Sequence, residues 1–508
     1  MNLLSFLIWE LTFYLEARIG INMNLLKVSC LALSLFALTE GFGQKNNLEP
    51  WEKLKSDKQL DKLPVKGPYF VIDDRIIEDR WMIERFVVPL KKYAGNPIVV
   101  KEHPWEGTGP LLGGKVLFDP QDQLYKMWYS VWDSASYYSK LPFSYNIAYA
   151  ESKDGIKWKK PILNRFDRKD ASYQKTNLVK LGKEKTQDID VEFNPASNAA
   201  ENRFVAIHNE AGGVFVSYSA DGKTFSSSFK NPAVWYHSDT RNNFVFDEVR
   251  KRWFVYVRPK AYAGEGIKHV NRRRIAVVDS DDLVNWTHER TVMVPEEGDV
   301  SDFYGITVIR RGDLFFGFLQ LYAPGKTEKV TAELVWSNDA YHWNRLPANA
   351  QKSPLNLGKE NEWDAGQIRI SEPVIKGNEM MFYYSGNKSN HDKPGSPAIG
   401  VATTKLDRLF GARSQADTLG RILTRPFEVN GDLFINADAA GEIRVEVRSA
   451  IRDEPLEGWT SEDCTPFTGS GLNNQISWGN KKLSDLKGKM VRLRFTLKDG
   501  TLYSFDIL

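Results

Sequence analysis

The chain of 508 residues is 42% hydrophobic, 26% charged and 12% aromatic, the balance of a folded protein rich in strand formers. Its net charge of +3 is close to neutral for this size and its basic residues are dispersed, which argues against a general nucleic-acid binder. Seven histidines without an HExxH or paired-His spacing, and two cysteines, offer no familiar metal motif and no cysteine cluster.

The first 44 residues read as an address. Met23 opens MNLLKVSCLALSLFALTEGFGQ, with basic Lys27, an apolar run from Val28 to Leu38 and small residues before Gln44. This is the pattern of a secretory signal peptide, and the run is too short for a comfortable membrane span. The 22 residues before it read as an upstream over-extension of the start. Cys30 lies in the signal, so the mature chain keeps only Cys464, and a secreted or periplasmic location is expected.

Residues 45–95 form a lead-in with strand-like segments around Tyr69–Ile72 and Trp81–Val88. Five units then follow over residues 96–410. Each has a strand, an Asp/Asn/Gly/Pro turn, and an aromatic strand: LYKMWYS from Leu124, RFVAIHN from Arg203, RWFVYVR from Arg252, LFFGFLQLY from Leu314 and MMFYYSG from Met380. Next comes a strand such as NIAYAE or RIAVVD, and then a phrase Ser-x-Asp with Trp or Phe four residues after the Asp. The copies are SKDGIKW from Ser152, SADGKTF from Ser219, SDDLVNW from Ser280 and SNDAYHW from Ser337, spaced by 67, 61 and 57 residues. A weaker fifth copy, TTKLD near Asp407, has no Trp. A period near 60 with all-β content predicts a five-bladed β-propeller. No segment longer than about ten residues keeps a 3.6-residue apolar period, so long helices are not expected.

The phrase itself reads as scaffold. Ser and Asp side chains bond nearby backbone N–H groups and fix a turn, Gly155 and Gly222 supply positive φ, and the Trp returns as an anchor between sheets. Beyond a linker at Leu409–Leu419, residues 420–508 alternate strictly at Ile443–Val447 and Met490–Leu497, which predicts half-buried antiparallel strands and a C-terminal β-sandwich.

In such an architecture the loop leading into each innermost strand projects into a funnel, and ligand sites favour concave mouths. The first unit offers Glu106 there, beside Trp105. The second offers Asp188 and Asp190, and the third His237, Asp239, Asn242 and Asn243. The fourth offers Asp302 and Tyr304, and the fifth Trp363, Asp364, Gln367 and Glu372. Convergent carboxylates with aromatic neighbours suit glycoside hydrolysis, where one acid donates a proton to the leaving oxygen and an ionised one activates water or attacks carbon. Aromatic rings stack on sugars, and the chain holds 15 Trp and 20 Tyr. Glu106 and Glu372 are the first candidates for donor or base, with Asp239, Asp302 and Asp364 as partners. His103, His237 and His391 each fall near a predicted channel loop. No cofactor is expected, with an oxygen-bound Ca²⁺ at the channel mouth left open. The run HVNRRR at His269–Arg274 is either a solvated turn or a contact for an anionic substrate group.

The phrases NPIVV, GGKVLFD, LYKMWYS, IAYAESKDGIKW, HSDTRNNFVFD, SDFYGI, WDAGQIRISEPV and MMFYYSG resemble the five-bladed β-propeller glycosidases, the superfamily of invertase-like (family 32) and arabinanase-like (family 43) enzymes. The resemblance covers roughly residues 90–410, and the tail resembles the β-sandwich often appended to invertase-like propellers. It implies a base or nucleophile in the first blade, a pKa-tuning Asp in the second and an acid in a later blade. By position these would be Glu106, then Asp190 or Asp188, then Asp239 or Glu372. The chain departs from the family in lacking WMNDPNG, RDP and ECP, which only SEP at Ser371–Pro373 echoes. The expectation is an exported, exo-acting glycoside hydrolase on an oligo- or polysaccharide, with no nucleic acid partner and no membrane span in the mature chain. A non-catalytic carbohydrate-binding propeller, a sialidase-like enzyme, and a lyase or phosphorylase on the same scaffold are the competing readings.

Overall fold

A computed structural model of the protein describes Leu63 and residues 67–140, 144–163, 175–181, 186–195, 200–210, 212–227, 231–260, 273–391, 393, 395–452 and 454–508. The signal-peptide segment and the first four residues of the HVNRRR run lie outside the described residues. Apart from Ser449 at the end of one strand, everything discussed below belongs to one compact unit, Lys62–Arg448 with Pro455–Leu508. Among the described residues the only α-helix is Ser134–Tyr138, and no helix is long and apolar enough to cross a membrane.

Five antiparallel groups of strands, called the first to fifth sheets below, account for the repeated part of the chain; the fourth and fifth are joined into one eight-stranded sheet by a single parallel pair, Val330 with Gln367. The second runs Ile189–Phe193, Phe204–Glu210, Gly213–Ser219, Ser226–Ser227. The third runs Asn243–Asp247, Arg252–Val257, Ile275–Ser280, Arg290–Met293, and the fourth Asp302–Arg311, Leu314–Tyr322, Val330–Ser337, Trp343–Asn344. In the first sheet the innermost strand is interrupted: Pro110–Leu111 and Val116–Asp119 both pair with Leu124–Trp132, followed by Tyr145–Ser152 and Trp158–Lys159. The fifth sheet takes Gln367–Lys376, Glu379–Asn387 and Ala398–Lys405 from its own repeat, and its outermost strand, Lys91–Lys92, from upstream of the first. That borrowed strand is why no Trp follows Asp407. Asp407 instead accepts from Arg311 Nε and Nη2 at 2.7 and 2.8 Å.

The innermost strands and the loops leading into them form a closed ring of hydrogen bonds. Ile189 N donates to Gly113 O (3.1 Å), joining the first and second sheets. Phe244 N donates to Asp190 (2.9 Å), Val308 N to Asn243 Oδ1 (2.9 Å) and Thr307 Oγ1 to Ile370 O (2.8 Å). Ser371 Oγ returns to Gly114 O at 3.3 Å. At Gly114 a Cβ would strike the Trp128 carbonyl, so only glycine lets the inner strand lie this close to its neighbour.

The aromatic strands are buried along almost their whole length because each is second in its sheet, covered on both faces by neighbouring sheets. Trp128 of the first sheet lies against Phe204 of the second, ring centroids 6.0 Å apart. The Ser-x-Asp turns form as the sequence predicts. Asp154 Oδ1 accepts from Ile156 N and Lys157 N at 2.9 and 2.8 Å, and Ser152 Oγ from Gly155 N at 2.9 Å. The residue after the Asp is left-handed in all four copies, at Gly155, Gly222, Leu283 and Ala340. Its carbonyl also receives an aromatic donor from the preceding sheet in three of them: Trp128 Nε1 to Gly222 O (2.7 Å), Tyr256 OH to Ala340 O (2.9 Å) and Tyr383 OH to Gly155 O (2.9 Å). The turns therefore tie neighbouring sheets together as well as closing their own.

The C-terminal strands build a nine-stranded sheet on a single core, with the long strands Leu433–Ser449 and Met490–Ile507 within it. Val491, Leu493, Phe495 and Leu497 are buried while Arg492, Arg494 and Thr496 are half-buried, as the alternation requires. The lead-in is not a separate element: Tyr69–Phe70, Ile77–Trp81 and Ile83–Val87 all pair into this sheet.

Candidate active site

A cavity of about 340 Å³ opens where the innermost strands begin, and all five sheets or their leading loops contribute to its wall. Among the described residues two carboxyl groups face it, Asp188 and Asp239. Asp188 precedes the second innermost strand and is 4% exposed. Its Oδ2 accepts from Asn242 N (3.2 Å) and Asn242 Nδ2 (2.9 Å). Burial pushes its carboxyl up to about 8, against these two donors, so it keeps its proton at neutral pH. Asp239 precedes the third innermost strand, and its side chain is 58% exposed. It accepts from Gln187 Nε2 (2.9 Å) and pairs with Arg258 Nη1 (3.2 Å). Its surroundings raise it by desolvation, but Arg258 and Gln187 outweigh that and hold it below the usual carboxylate range. One cavity thus presents a protonated acid and an ionised one.

Beneath the cavity lies a buried charge layer. Glu372 accepts from Arg241 Nη2 (2.7 Å), Ser371 Oγ (2.9 Å) and Asn243 Nδ2. Asn243 Nδ2 also reaches Asp190 Oδ2 at 2.9 Å, and Lys115 pairs with Glu192. Two cations here serve three carboxylates. Burial favours neutrality for both members of the Asp190–Glu372 pair. Arg241 and Lys115 overcome it for Glu372, whereas burial and the charge of Glu372 push Asp190 well up. Asp190 Oδ1 has no partner, which fits the site of the remaining proton. Only Arg241 of this layer also lines the cavity, so the layer closes its floor.

The other expected acids are committed to structural partners and do not line the cavity. Glu106 is fully buried and accepts from Glu102 N (2.8 Å), His103 N (2.9 Å) and Tyr129 OH (2.9 Å), with Lys160 Nζ at 2.8 Å. Asp302 is held by Arg273 N (3.0 Å), Arg273 Nη1 (3.1 Å) and Ser301 Oγ (2.7 Å). Asp364 is held by Lys92 Nζ (2.6 Å) and Tyr384 OH (3.1 Å). Of the expected acids Glu106, Asp190, Asp239, Asp302, Asp364 and Glu372, the cavity receives Asp239, while Asp190 and Glu372 meet one layer below.

The aromatics sort similarly. Trp105 stacks on His103 at 4.3 Å and donates to Asn177 (2.8 Å), and Trp363 packs on Tyr384. Tyr304 and Gln367 do line the cavity, Gln367 donating to Ser389 O at 2.9 Å. His237 is tied through Nδ1 to Glu210 O (3.2 Å), outside the lining. His391 lines it with Nε2 2.9 Å from Tyr304 OH, pushed down to about 3 by burial and by Arg369 and Arg273, so it is neutral.

The aromatic wall that sequence reasoning missed comes from the first sheet. Trp132, Tyr137, Tyr138 and Tyr145 cluster at ring separations of 5.4–6.2 Å around the short helix Ser134–Tyr138, which Asp133 caps through Ser136 N. Its sequence signal was the run VWDSASYY, an aromatic-rich stretch in the connection between the first sheet's aromatic strand and the next strand. Arg369 was missed because nothing in QIRISEP marks it. Among the described residues no group of three or more His, Cys, Asp or Glu is arranged to hold a metal.

No family model and no curated protein matches the chain. Solved structures do. The chain is similar in structure, at low identity, to five-bladed propeller glycoside hydrolases and phosphorylases. One is a β-1,2-mannobiose phosphorylase from Listeria innocua, 12% identical over 63% of this chain and 98% of that one, TM-score 0.43. Another is a fructofuranosidase from Schwanniomyces occidentalis, 10% identical over 83% and 98%, TM-score 0.38. A third is an N-acetylgalactosamine deacetylase from F. plautii, 17% identical over 69% and 96%, TM-score 0.40.

Proposed function

We propose that the five sheets are the blades of a β-propeller followed by a β-sandwich, and that the axial cavity cleaves the terminal glycosidic bond of a glycan. The carrying observation is the pairing of Asp188, held protonated, with Asp239, held ionised, in one aromatic-walled cavity. Environments that push two carboxyl pKa values apart assign the acid and the base. In this reading Asp188 donates its proton to the glycosidic oxygen as the C–O bond breaks. Asp239 takes a proton from water, whose oxygen bonds to the anomeric carbon. Trp132, Tyr145 and Tyr304 offer apolar faces to the sugar rings. The charged floor, and a volume near the lower end of the roughly 300–1,000 Å³ typical of ligand sites, support end-on action on one or two sugars. Export through the Met23–Gln44 segment belongs to the same proposal, and N-terminal sequencing of the exported protein tests it.

The catalytic test is a screen of purified protein against nitrophenyl glycosides and oligosaccharides. On the substrate found, Asp188→Asn and Asp239→Asn should each lower kcat by about 100-fold or more. Full activity in both variants would sink this assignment.

A further inference from the structure

Three guanidinium groups surround one ring of the cavity wall. Arg273, Arg369 and Arg258 stand 4.9, 5.2 and 5.4 Å from the centroid of Tyr304. They come from three different elements: the start of the third sheet's third strand, the fifth innermost strand, and the end of the aromatic strand RWFVYVR. Their bonding is unequal. Arg273 is paired with Asp302 and Arg258 with Asp239. Arg258 is nonetheless 7% exposed with Nε and Nη2 unpartnered, and Arg273 Nε is also buried without a partner. Arg369 lines the cavity, and among the described residues its guanidinium makes neither a hydrogen bond nor an ion pair. Lys393 lines it too, without an ion pair among the described residues.

Charge bookkeeping of the wall then points one way. Asp239 is matched by Arg258, and Arg241 by Glu372 below. Asp188 is neutral when protonated, and His391 is neutral. Among the described residues Arg369, half-buried, and Lys393, exposed at the rim, remain as two positive charges without an ion-pair partner facing one concave space. Holding like charges together in a partly desolvated site costs free energy, which a complementary anion would offset. A guanidinium with its fork unoccupied matches the geometry of a carboxylate, sulfate or phosphate.

We propose that this cavity binds a compact oxyanion on Arg369, beside Tyr304 and backed by Arg258 and Arg273. The natural bearer is an acidic sugar of the glycan, and the other source of the same chemistry is free inorganic phosphate. The assignment of a substrate class rests on the glycan reading above, while the oxyanion subsite stands on the geometry alone.

Calorimetric titration of the full mature chain tests it without requiring turnover. The probes are glucuronate, galacturonate, inorganic phosphate and sulfate, with glucose and galactose as neutral controls. The expected result is binding of at least one anion that weakens with added salt and falls tenfold or more in Arg369→Gln and in Lys393→Gln. The thermal midpoint of Arg369→Gln should drop little, because that side chain loses only its contact with the Tyr304 ring and no ion pair. Uronate binding places the anion on the sugar, and binding of phosphate alone makes it a separate co-substrate. Absence of binding for every anion, or equal binding by Arg369→Gln, overturns the proposal. The same titration on Asp188→Asn separates the two readings. Retained anion binding with no glycoside turned over by wild type leaves the subsite standing and removes the catalytic assignment. Glycoside turnover by wild type that falls in Asp188→Asn, with no anion bound by wild type, does the reverse.

Discussion

Replacing Asp188 by Asn should stabilise the protein while abolishing its activity, with an effect that grows with pH. In the unfolded chain this carboxyl titrates near its ordinary 3.8, whereas burial raises it to about 8 in the folded chain. Below pH 4 both states hold the proton and the group contributes nothing. As pH rises from 4 to 8 the unfolded chain releases its proton and the folded chain keeps it. Folding stability therefore falls by roughly 1.4 kcal/mol per pH unit, about 4 kcal/mol by pH 7. Asn carries no such penalty. Its carbonyl oxygen can accept from Asn242 N and Nδ2 as Asp188 Oδ2 does, so the local structure has no reason to change. Urea unfolding of both proteins at pH 4.5, 6 and 7.5 measures the difference, in which all other titrating groups cancel. The variant should lie within about 1 kcal/mol of wild type at pH 4.5 and lead it by a few kcal/mol at pH 7.5. A pH-independent gap, or a variant less stable than wild type at pH 7.5, would refute the reasoning that Asp188 is held protonated by burial.

Other outcomes follow from the same geometry. The kcat/KM profile should lose activity on the alkaline side as Asp188 deprotonates near pH 8. Its acid limb should lie below the ordinary carboxylate range, where Asp239 takes up a proton, and a pH titration of initial rates checks both limbs. Asp239→Asn should cost about 100-fold or more in kcat yet change stability by less than about 1 kcal/mol, because its ion pair is half exposed to water. Glu106→Gln should show the opposite split: it leaves the buried Lys160 with the largely exposed Glu102 as its charged partner and destabilises by about 1–3 kcal/mol in denaturant, while the folded fraction keeps its turnover. Gly155→Ala should destabilise by about 1–3 kcal/mol, since its φ is +79° and the added Cβ would lie 2.6 Å from Tyr383 OH, and thermal unfolding measures this.

The repeated Ser-x-Asp phrase counted the units, and local chemistry was enough for that. A serine hydroxyl and an aspartate two residues later bond backbone groups within the same turn, so the motif is complete within seven residues. The alternation of Met490–Leu497 is local in the same way, because a strand's side chains point to opposite faces whatever lies beyond them. The placement of candidate acids just ahead of each innermost strand was also legible, and it located Asp188 and Asp239. Which acids remained free was not. Asp364 is neutralised by Lys92 from 272 positions upstream, because the last sheet closes with a strand that precedes the first. Glu372 is ionised by Arg241 from 131 positions away, across the ring. A carboxylate's role depends on whether a cation or a cavity faces it, and that is decided by ring closure. The sequence by itself determined how many sheets there are and where each one turns. Only the tertiary structure decided which carboxyl groups face solvent in one cavity, and left Arg369 there without an ion-pair partner among the described residues.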